Sequence, residues 1–361
     1  MLKKAGILLL ICASVATWIS CGKTTNHYVY AAINASNEIY VFREDPNSGV
    51  LTQLSLSPIG AGIGIQSLVV HPSNKYLYAS NSGEGDVSLF TTASDGALTE
   101  VLPRAPVGVG PTAMAMDSAG AYLYVANSGS NSISVFSVDS GSGALTPVVQ
   151  GSSGSAGGTQ AAIGLTPLNI ALDPSGTILY VTGNGTLGGL VEAFSLNAGQ
   201  LTFVASSQAG SSPNGLVVSP NGSFVYTANT NDNSISEFSS SNGVLSQIAG
   251  SPIGGGTFDS PLSLFINKTG GFLSVANNGF NNIAVDAIGS DGSLSVISTS
   301  PFASNAQPSF ISGDPNGEYI FVGNQSSPAI QSFALTASSG TLTAVASYKL
   351  PGTPTSIAIL P

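Results

Sequence analysis

A sequence repeat of about 47 residues runs through this chain and restricts its fold more than any other feature. One copy reads Tyr122-Leu-Tyr-Val-Ala-Asn-Ser-Gly-Ser-Asn-Ser-Ile-Ser-Val-Phe136. The seven copies of this window lie at 28–42, 76–90, 122–136, 178–194, 224–238, 272–286 and 319–333. In the first copy the asparagine is displaced by one place, and in the fourth copy two residues are inserted. Self-similarity at a period of this length indicates a repeat architecture.

Two further signatures flank the window. Before it stands Pro-x-x-apolar-x-apolar with a polar turn, as in 111–120, and after it stands Gly-x-Leu-Thr/Ser, as in 143–146. Each repeat therefore holds four short β-rich runs, named strands a, b, c and d, which are separated by Gly, Asn, Pro and Ser turns. Four strands in a repeat of roughly 40–50 residues are typical of a β-propeller blade. The sequence predicts an all-β protein.

The two ends of the chain together carry the four strands of one blade. Residues 354–361 match strand a of the copy at 111–116 but have no strand b after them, whereas the first copy lacks a strand a. We therefore predict a seven-bladed β-propeller with four antiparallel strands per blade, closed when 354–361 pairs with the N-terminal blade, because pairing removes an open sheet edge. The predicted blades are 28–64 plus 354–361, 65–110, 111–166, 167–212, 213–260, 261–307 and 308–353.

The N-terminus has the pattern of an export signal. A short basic start precedes an apolar run of 16 residues, which is shorter than the roughly 20 residues of a membrane-spanning helix. Ser20-Cys21 resembles the end of a bacterial lipobox, so we expect removal of 1–20 and lipid on Cys21, with cleavage near Ala16 as the alternative. Residues 21–27 then form a linker. We expect an exported protein that is lipid-anchored to the cell envelope, or alternatively secreted, and that contacts a membrane only through its lipid.

Composition excludes several classes of function. Only 7% of the residues are charged and the formal net charge is −10, whereas an average protein has about 25% charged residues. Such a chain lacks the charged helix faces of an all-α protein and the basic patches that bind nucleic acids. It has two histidines and no cysteine after Cys21, so we predict no metal site and no cofactor. His27 is assigned to the linker, and His71 to the turn between strands a and b.

Tyr124-Val-Ala-Asn127 within a seven-fold repeat, together with the Pro-x-Gly turns and the Gly-x-Leu-Thr strands, resembles the lactonase-like seven-bladed propellers. These include 6-phosphogluconolactonase-type enzymes and YVTN-repeat surface proteins, and the resemblance covers residues 28–361. It implies Arg and His just after the blade-opening proline of an enzyme, and Glu after the strand-b asparagine. The matching residues here are neutral: Leu168, Asn169, Asn214, Gly215, Leu262, Ser263, Ser309 and Phe310 after the prolines, and Ser128, Thr230, Asn278 and Gln325 after the asparagines.

We therefore interpret the chain as a lactonase-family-like propeller that binds a partner at the cell surface and has no intact lactonase catalytic residues. The alternative is a 6-phosphogluconolactonase-like hydrolase of a sugar lactone. The expected partner is a protein, a glycan or a small molecule, bound by a monomer. We place it on the loop-rich face, which carries the b–c loops and the d–a crossings, because variable loops on a rigid scaffold carry function.

The candidate ligand-binding residues come from this loop-rich face and from the resemblance. They are Asn81, Asn127, Asn169, Asn214, Asn229, Phe258, Asn277, Phe280 and Asn324. Asparagine also caps its own backbone in turns, and both phenylalanines can fold back onto the blades. A structural role therefore stays open for the repeated asparagines and for the phenylalanines.

Three carboxylates are catalytic candidates: Asp232, Asp259 and Asp286. Asp286 stands where other copies carry phenylalanine, as at Phe136. A carboxylate between two blades would have a perturbed pKa and could be functional. The alternative is a slip of the strand by one residue, which would bury Val285 instead.

Overall fold

The computed structural model describes residues 26–151, 159–254 and 256–360. These residues form seven antiparallel sheets of four strands each, and three of the sheets carry one additional short strand. The innermost strands of successive sheets contact one another around a closed ring. The predicted all-β, seven-bladed propeller is therefore confirmed. Within the described ranges the one helical element is a 3-10 turn, η1 (Thr230–Asp232), and none of the helical structure there is long and apolar enough to cross a bilayer.

The strands follow the repeat. Blade 1 contains β1 (His27–Ile33), β2 (Glu38–Glu44), β3 (Leu51–Gln53) and β4 (Ile59–Gly60). Blade 2 contains β5 (Ile65–Val70), β6 (Tyr76–Asn81), β7 (Asp86–Thr92) and β8 (Leu98–Pro106). Blade 3 contains β9 (Pro111–Met116), β10 (Tyr122–Asn127), β11 (Ser132–Val138), β12 (Leu145–Pro147) and β13 (Gln160–Ala162). Blade 4 contains β14 (Thr166–Leu172), β15 (Ile178–Gly185), β16 (Gly188–Asn197) and β17 (Gln200–Gln208).

The remaining blades have the same order. Blade 5 contains β18 (Pro213–Val218), β19 (Phe224–Asn229), β20 (Ser234–Ser241) and β21 (Val244–Gln247). Blade 6 contains β22 (Pro261–Ile266), β23 (Phe272–Asn277), β24 (Asn282–Ile288), β25 (Leu294–Val296) and β26 (Phe302–Ala303). Blade 7 contains β27 (Pro308–Gly313), β28 (Tyr319–Asn324), β29 (Ala329–Thr336) and β30 (Thr341–Lys349), and the chain ends in β31 (Pro354–Leu360).

The ring is closed by the last strand. β31 pairs antiparallel with β1, from Tyr28 opposite Leu360 to Ile33 opposite Pro354. It supplies the strand a that the first repeat lacks, and its side chains pack into the cores on both sides of blade 1. The predicted closure is therefore confirmed.

A tyrosine in strand b joins successive blades. Tyr78 and Tyr226 are fully buried, and their hydroxyls donate to the carbonyls of Gly143 and Gly292 on the next blade, at 2.8 and 2.7 Å. Gly143 has a φ of 73°, and a Cβ there would lie 2.7 Å from the ring of Tyr76. The glycine of the Gly-x-Leu-Thr signature is thus needed for this turn and for close packing of the blades.

Asp286 occupies the phenylalanine position of its blade without any slip. It pairs with Leu273, as Phe136 pairs with Leu123, so the registers of the two blades are the same. Asp286 and Val285 are both fully buried, on opposite faces of the sheet. The expected one-residue slip is wrong, and the carboxylate lies in the junction between blades 5 and 6.

The two histidines have different environments. His27 is the first residue of β1 and is 2% exposed, so its assignment to the linker is corrected. The pairing of β1 with β2 continues one residue beyond the repeat window, where His27 lies opposite Glu44. His27 is therefore part of the sheet. His71 lies in the a–b turn of blade 2 as predicted, with its Nε2 3.0 Å from the carbonyl of Gly120 on blade 3.

Candidate functional site

Each of the seven inner strands is irregular where it begins at the loop-rich face. The pairing register shifts by one residue near the start of the strand, so one residue has no direct partner: the second residue of six of these strands and the third residue of β14. A bulge of this kind re-aims a side chain. The seven bulged residues are Gln66, Thr112, Leu168, Asn214, Leu262, Ser309 and Thr355.

All seven bulged residues line one cavity at the mouth of the central channel, which we call the mouth cavity. Its volume is about 520 Å³, and its wall also includes Asn169, Ser263, Phe310 and Gln325. Five of the bulged side chains are amides or hydroxyls and two are leucines. Because each blade contributes one bulged residue, the repeat itself builds a ring of side chains that converge on a common space.

Hydrogen bonds hold several of the polar side chains in place. Asn169 Nδ2 donates to the carbonyl of Asn214 on the next blade at 2.9 Å, and Asn214 Nδ2 donates to Thr230 Oγ1 at 2.7 Å. Thr230 Oγ1 donates in turn to the carbonyl of Pro261 on blade 6 at 2.8 Å. These bonds link blades 4, 5 and 6, so the wall is rigid before any ligand binds, which lowers the entropic cost of binding.

The mouth cavity has no acid–base group of its own. Among the described residues that line it, none is Asp, Glu, His, Lys, Arg, Cys or Tyr. Most of the neutral residues at the positions where the resemblance implies Arg, His and Glu line this space, including Leu168, Asn169, Asn214 and Gln325, whereas Gly215, Ser128, Thr230 and Asn278 do not. The site therefore offers neutral hydrogen-bond donors and acceptors beside a few apolar groups, which suits an uncharged ligand rich in hydroxyls.

The repeated asparagines lie behind this wall. Asn81, Asn127, Asn229, Asn277 and Asn324 are all fully buried and do not line the mouth cavity. Asn127 Nδ2 donates to Ser134 Oγ at 3.0 Å, and Asn229 Nδ2 donates to Ser236 Oγ at 2.9 Å, so each amide ties the end of strand b to strand c. The structure thus assigns these five a packing position, whereas Asn169 and Asn214 lie in the cavity wall.

The two candidate aromatic residues differ in exposure. Phe258 is 2% exposed and packs against Tyr226 and Leu264 in the junction between blades 5 and 6, so of the two possibilities left open it folds back onto the blades. The crossing before β22 folds back because the ring is apolar and the junction offers an apolar surface. Phe280 is 45% exposed in the b–c loop of blade 6.

The three candidate carboxylates are not brought together. Asp232 Oδ2 accepts from the backbone N–H of Ser211 at 2.6 Å and so holds two loops of blade 5 together. The carboxyl of Asp259 lies against the backbone of Gly279, where a Cβ would meet it at 2.4 Å. Asp286 is fully buried between two blades. None of the three lines the mouth cavity, so the structure supports no catalytic constellation of these residues.

A larger hollow of about 660 Å³ lies at the edge of blade 4, beside the crossing to that blade, and Glu192 and Phe203 line it. Burial raises the pKa of Glu192, although the N–H of Gly164 donates to its carboxylate and opposes the rise. The crossing of 150–166 borders this hollow, and residues 152–158 of the crossing lie outside the described ranges. We assign this hollow no function.

Several wall residues were not identified from the sequence alone. Gln66, Thr112, Thr355 and Gln325 line the mouth cavity but were not among the candidate residues. The signal was present in the repeat, because each bulged residue follows the first residue of a predicted strand a. Only the register shift shows that this position, rather than the asparagine at the end of strand b, turns towards the channel.

Comparisons with known proteins agree with this geometry. The sequence model of the family described as "Lactonase, 7-bladed beta-propeller" matches residues 62–158, 157–251 and 263–359. A 6-phosphogluconolactonase of Yersinia enterocolitica is 24% identical over 342 residues, which cover 92% of this chain and 98% of that protein.

Solved structures have the same fold. A periplasmic gluconolactonase of Pseudomonas aeruginosa, PpgL, superimposes with a TM-score of 0.76 at 21% identity, covering 93% of this chain and 99% of its own. A protein from Lactobacillus plantarum superimposes with a TM-score of 0.78 at 20% identity, again covering 93% and 99%. The match of the family model to most of the sequence, on a ring of seven blades, shows that this chain belongs to the lactonase family of seven-bladed β-propellers.

Proposed function

We propose that the protein binds an uncharged sugar lactone in the mouth cavity and accelerates the opening of the lactone ring by water. The observation that carries this proposal is the ring of bulged residues, which surrounds a space of about 520 Å³ with neutral polar groups. Membership of the lactonase family supplies the class of reaction, and relatives named gluconolactonase and 6-phosphogluconolactonase supply the lactone. Among the described residues, no Lys or Arg lines the cavity, and these side chains are the usual ligands of a phosphate. The preferred substrate is therefore unphosphorylated.

Three amides provide the donors for this reaction. Gln66, Asn169 and Asn214 each use one N–H in a hydrogen bond to the protein, and each amide nitrogen has a second N–H. A second N–H can donate to the carbonyl oxygen of the lactone and to the oxyanion that forms when water attacks the carbonyl carbon. The attacking water gives a proton to solvent, the ring C–O bond breaks, and the ring oxygen takes a proton from solvent. Rate acceleration comes from orientation and from oxyanion stabilisation, without a general base.

Replacing the cavity amides should lower lactonase activity. With glucono-δ-lactone as the probe, we expect Asn169→Ala and Asn214→Ala each to reduce kcat/KM about fivefold to tenfold, because each loses one neutral hydrogen bond worth about 1 kcal/mol. The rate should rise with pH without the bell shape that an acid–base pair gives, since no wall residue titrates. A pH-indicator assay, corrected for spontaneous hydrolysis, measures both effects.

The matched control is Asn316→Ala, an exposed asparagine on the opposite face of blade 7. It should leave kcat/KM unchanged. The 6-phosphorylated lactone should react with a KM at least about tenfold higher than its unphosphorylated counterpart, because its phosphate finds no cation in the wall. Turnover no faster than the spontaneous rate for both lactones would contradict the proposal.

A second candidate function is binding of a sugar without turnover. The specific observation in its favour is the same neutral wall, which supplies no proton donor or acceptor for a reaction. In this case the protein would bind glucono-δ-lactone, open-chain sugars or glycans, and Asn169→Ala and Asn214→Ala would each lower the affinity. Hydrolysis of the lactone would stay at the spontaneous rate. Calorimetry beside the hydrolysis assay distinguishes the two functions.

The proposed location is the cell envelope, through a lipid on Cys21, which lies outside the described residues. Cys21→Ser should move the protein from the membrane fraction into the soluble exported fraction, because it removes the thiol that carries the lipid. The control is Cys12→Ser, which changes the one other cysteine, inside the export signal. Fractionation of cells followed by mass spectrometry of the mature N-terminus measures the effect. A membrane-bound Cys21→Ser protein would rule the lipid anchor out.

A further inference from the structure

Three titratable side chains meet at the junction that closes the ring. His27 and Glu44 are opposite one another on β1 and β2 of blade 1, and Asp314 lies in the a–b turn of blade 7. They are 2%, 0% and 5% exposed. This cluster, which we call the closure triad, lies on the side of the short turns, away from the mouth cavity, and the proposed lactone chemistry does not use it.

The geometry of the closure triad suits a metal ion. One ligand atom from each residue can be chosen so that all three lie within 4.8 Å of one another, and His27 Nδ1 lies 3.2 Å from a carboxylate oxygen of Glu44. The ligand atoms of a tetrahedral zinc ion are about 3.4 Å apart, given bonds of about 2.1 Å. The first pair already has about this separation, and the third atom needs a movement of at most about 1.4 Å, which a side-chain rotation allows.

Asp314 can bind a metal without leaving its turn. Its Oδ1 accepts the N–H groups of Glu318 and Tyr319, both at 2.7 Å, and its Oδ2 accepts the N–H of Asn316 at 3.1 Å. A carboxylate has about four lone-pair sites, so Oδ2 keeps one for a metal. The three backbone bonds fix the orientation of the carboxylate, as outer hydrogen bonds commonly do for a metal ligand.

The same positions on the other blades do not reproduce this cluster. The residues that correspond to His27 are Lys75, Ala121, Thr177, Ser223, Gly271 and Glu318, and those that correspond to Glu44 are Thr92, Val138, Leu196, Ser240, Ile288 and Leu335. No other blade therefore places a histidine opposite a carboxylate here. Among the described residues, the closure triad is the one group of three such side chains with metal-ligand spacing.

We propose that His27, Glu44 and Asp314 bind one Zn²⁺, which joins blade 7 to blade 1 and so fastens the closed ring. A neutral imidazole, two carboxylates and a divalent cation sum to zero charge, which a buried site requires. One nitrogen and two oxygen ligands match the ligand types that zinc accepts. Ca²⁺ and Mg²⁺ are disfavoured, because they require six or more oxygen ligands.

The two histidines of the chain make a direct test possible without any variant. In protein labelled with ¹⁵N-histidine and treated with a chelator, the spectrum holds two imidazole spin systems, from His27 and His71. One equivalent of Zn²⁺ should shift the nitrogens of His27 and leave those of His71 unchanged. At a zinc concentration 100 times the Kd, the melting temperature should rise by about 5 °C. Unchanged spectra of both histidines at saturating Zn²⁺ would refute the site.

Variants identify the ligands. His27→Ala and Glu44→Gln should each weaken zinc binding more than about 100-fold in calorimetry, since each loses a direct ligand. His71→Ala is the matched control, because it removes the other buried histidine and should leave the affinity unchanged. Asp314→Asn should also weaken zinc binding, whereas its control Asp173→Asn should not, as Asp173 makes the same turn bonds on blade 4. Zinc binding that survives in His27→Ala, or a titration in which His27 takes up only a proton, would overturn the proposal.

Discussion

Deletion of residues 354–361 should unfold the propeller at room temperature or convert it into oligomers. β31 pairs with all but the first residue of β1, and its Ile357, Ala358 and Leu360 are buried in the cores on either side of blade 1. Burial of each large apolar side chain contributes about 1.5–3 kcal/mol. Together with the lost backbone pairing, the total is comparable with the stability of a whole domain, about 5–15 kcal/mol.

The exposed edge adds a second effect. Without β31, the whole of β1 presents unpaired backbone groups along a strand that is otherwise buried, and such an edge pairs with another chain. Circular dichroism against temperature and light scattering measure unfolding and oligomer size.

The control replaces residues 354–359 by Pro-Thr-Ala-Met-Ala-Met, the corresponding residues 111–116 of blade 3. This chimera keeps the pattern of strand a and should stay folded and monomeric. A truncated protein that is monomeric and melts at the original temperature would contradict the closure as the main support of the ring.

Replacement of Asp286 should stabilise the protein at neutral pH. Asp286 is fully buried on blade 6, and neither of its carboxylate oxygens has a hydrogen-bond partner within the described structure. It faces the equally buried Glu237 of blade 5, whose Oε1 accepts from the N–H of Leu294 at 2.8 Å. Burial, and then the charge of Glu237, raise the pKa of Asp286 from 3.8 to about 6.

This shift predicts the pH dependence of stability. Because the folded protein holds the proton more tightly than the unfolded chain, the free energy of unfolding falls as the pH rises from about 3.8 to about 6 and stays low above it. A shift of this size corresponds to about 3 kcal/mol. Asp286→Asn cannot ionise, so above pH 6 we expect it to raise the free energy of unfolding by about 2–3 kcal/mol, with little effect at pH 4.

Chemical denaturation of both proteins at pH 4 and pH 8 tests this difference. Glu237→Gln should act in the same direction, since burial also raises the pKa of Glu237. The double change Asp286→Phe with Glu237→Val restores the residue types found between blades 3 and 4, Val135 and Phe194, and should stabilise the junction at both pH values. Asp95→Asn, on an exposed turn, is the control. Equal pH dependence in Asp286→Asn and the unchanged protein would count against an ionising group in this junction.

The repeat predicted the fold because every blade carries the same pattern of strand and turn residues. The seven copies of the window and the unmatched last strand each depend on local residue patterns, and the seven blades and the closure that they predicted were confirmed. The blade containing Asp286 was the exception. A single carboxylate at an apolar position suggested a slip, but the register of β24 follows the pairing of its whole strand, and the cost of one buried aspartate does not change it.

The candidate site was predicted less completely, because it depends on details that a sequence pattern does not contain. Asn169 and Asn214 were found through the family resemblance, and both lie in the wall of the mouth cavity. The repeated asparagines suggested a polar ring, but they point into the blades, and the bulges supply the ring instead. The closure triad was missed for a different reason: its residues are distant in the sequence, and the search for zinc ligands considered only His and Cys.

The pairing of β31 with β1 also orders the events of folding. Six blades can be completed as soon as their own strands have been synthesised, because their strands are consecutive in the chain. Blade 1 is completed only after these six, since its innermost strand, β31, follows all of them in the chain. Until β31 pairs with β1, the blades form an open arc in which β1 lacks its inner partner strand, so this pairing is the step that commits the ring to its native topology.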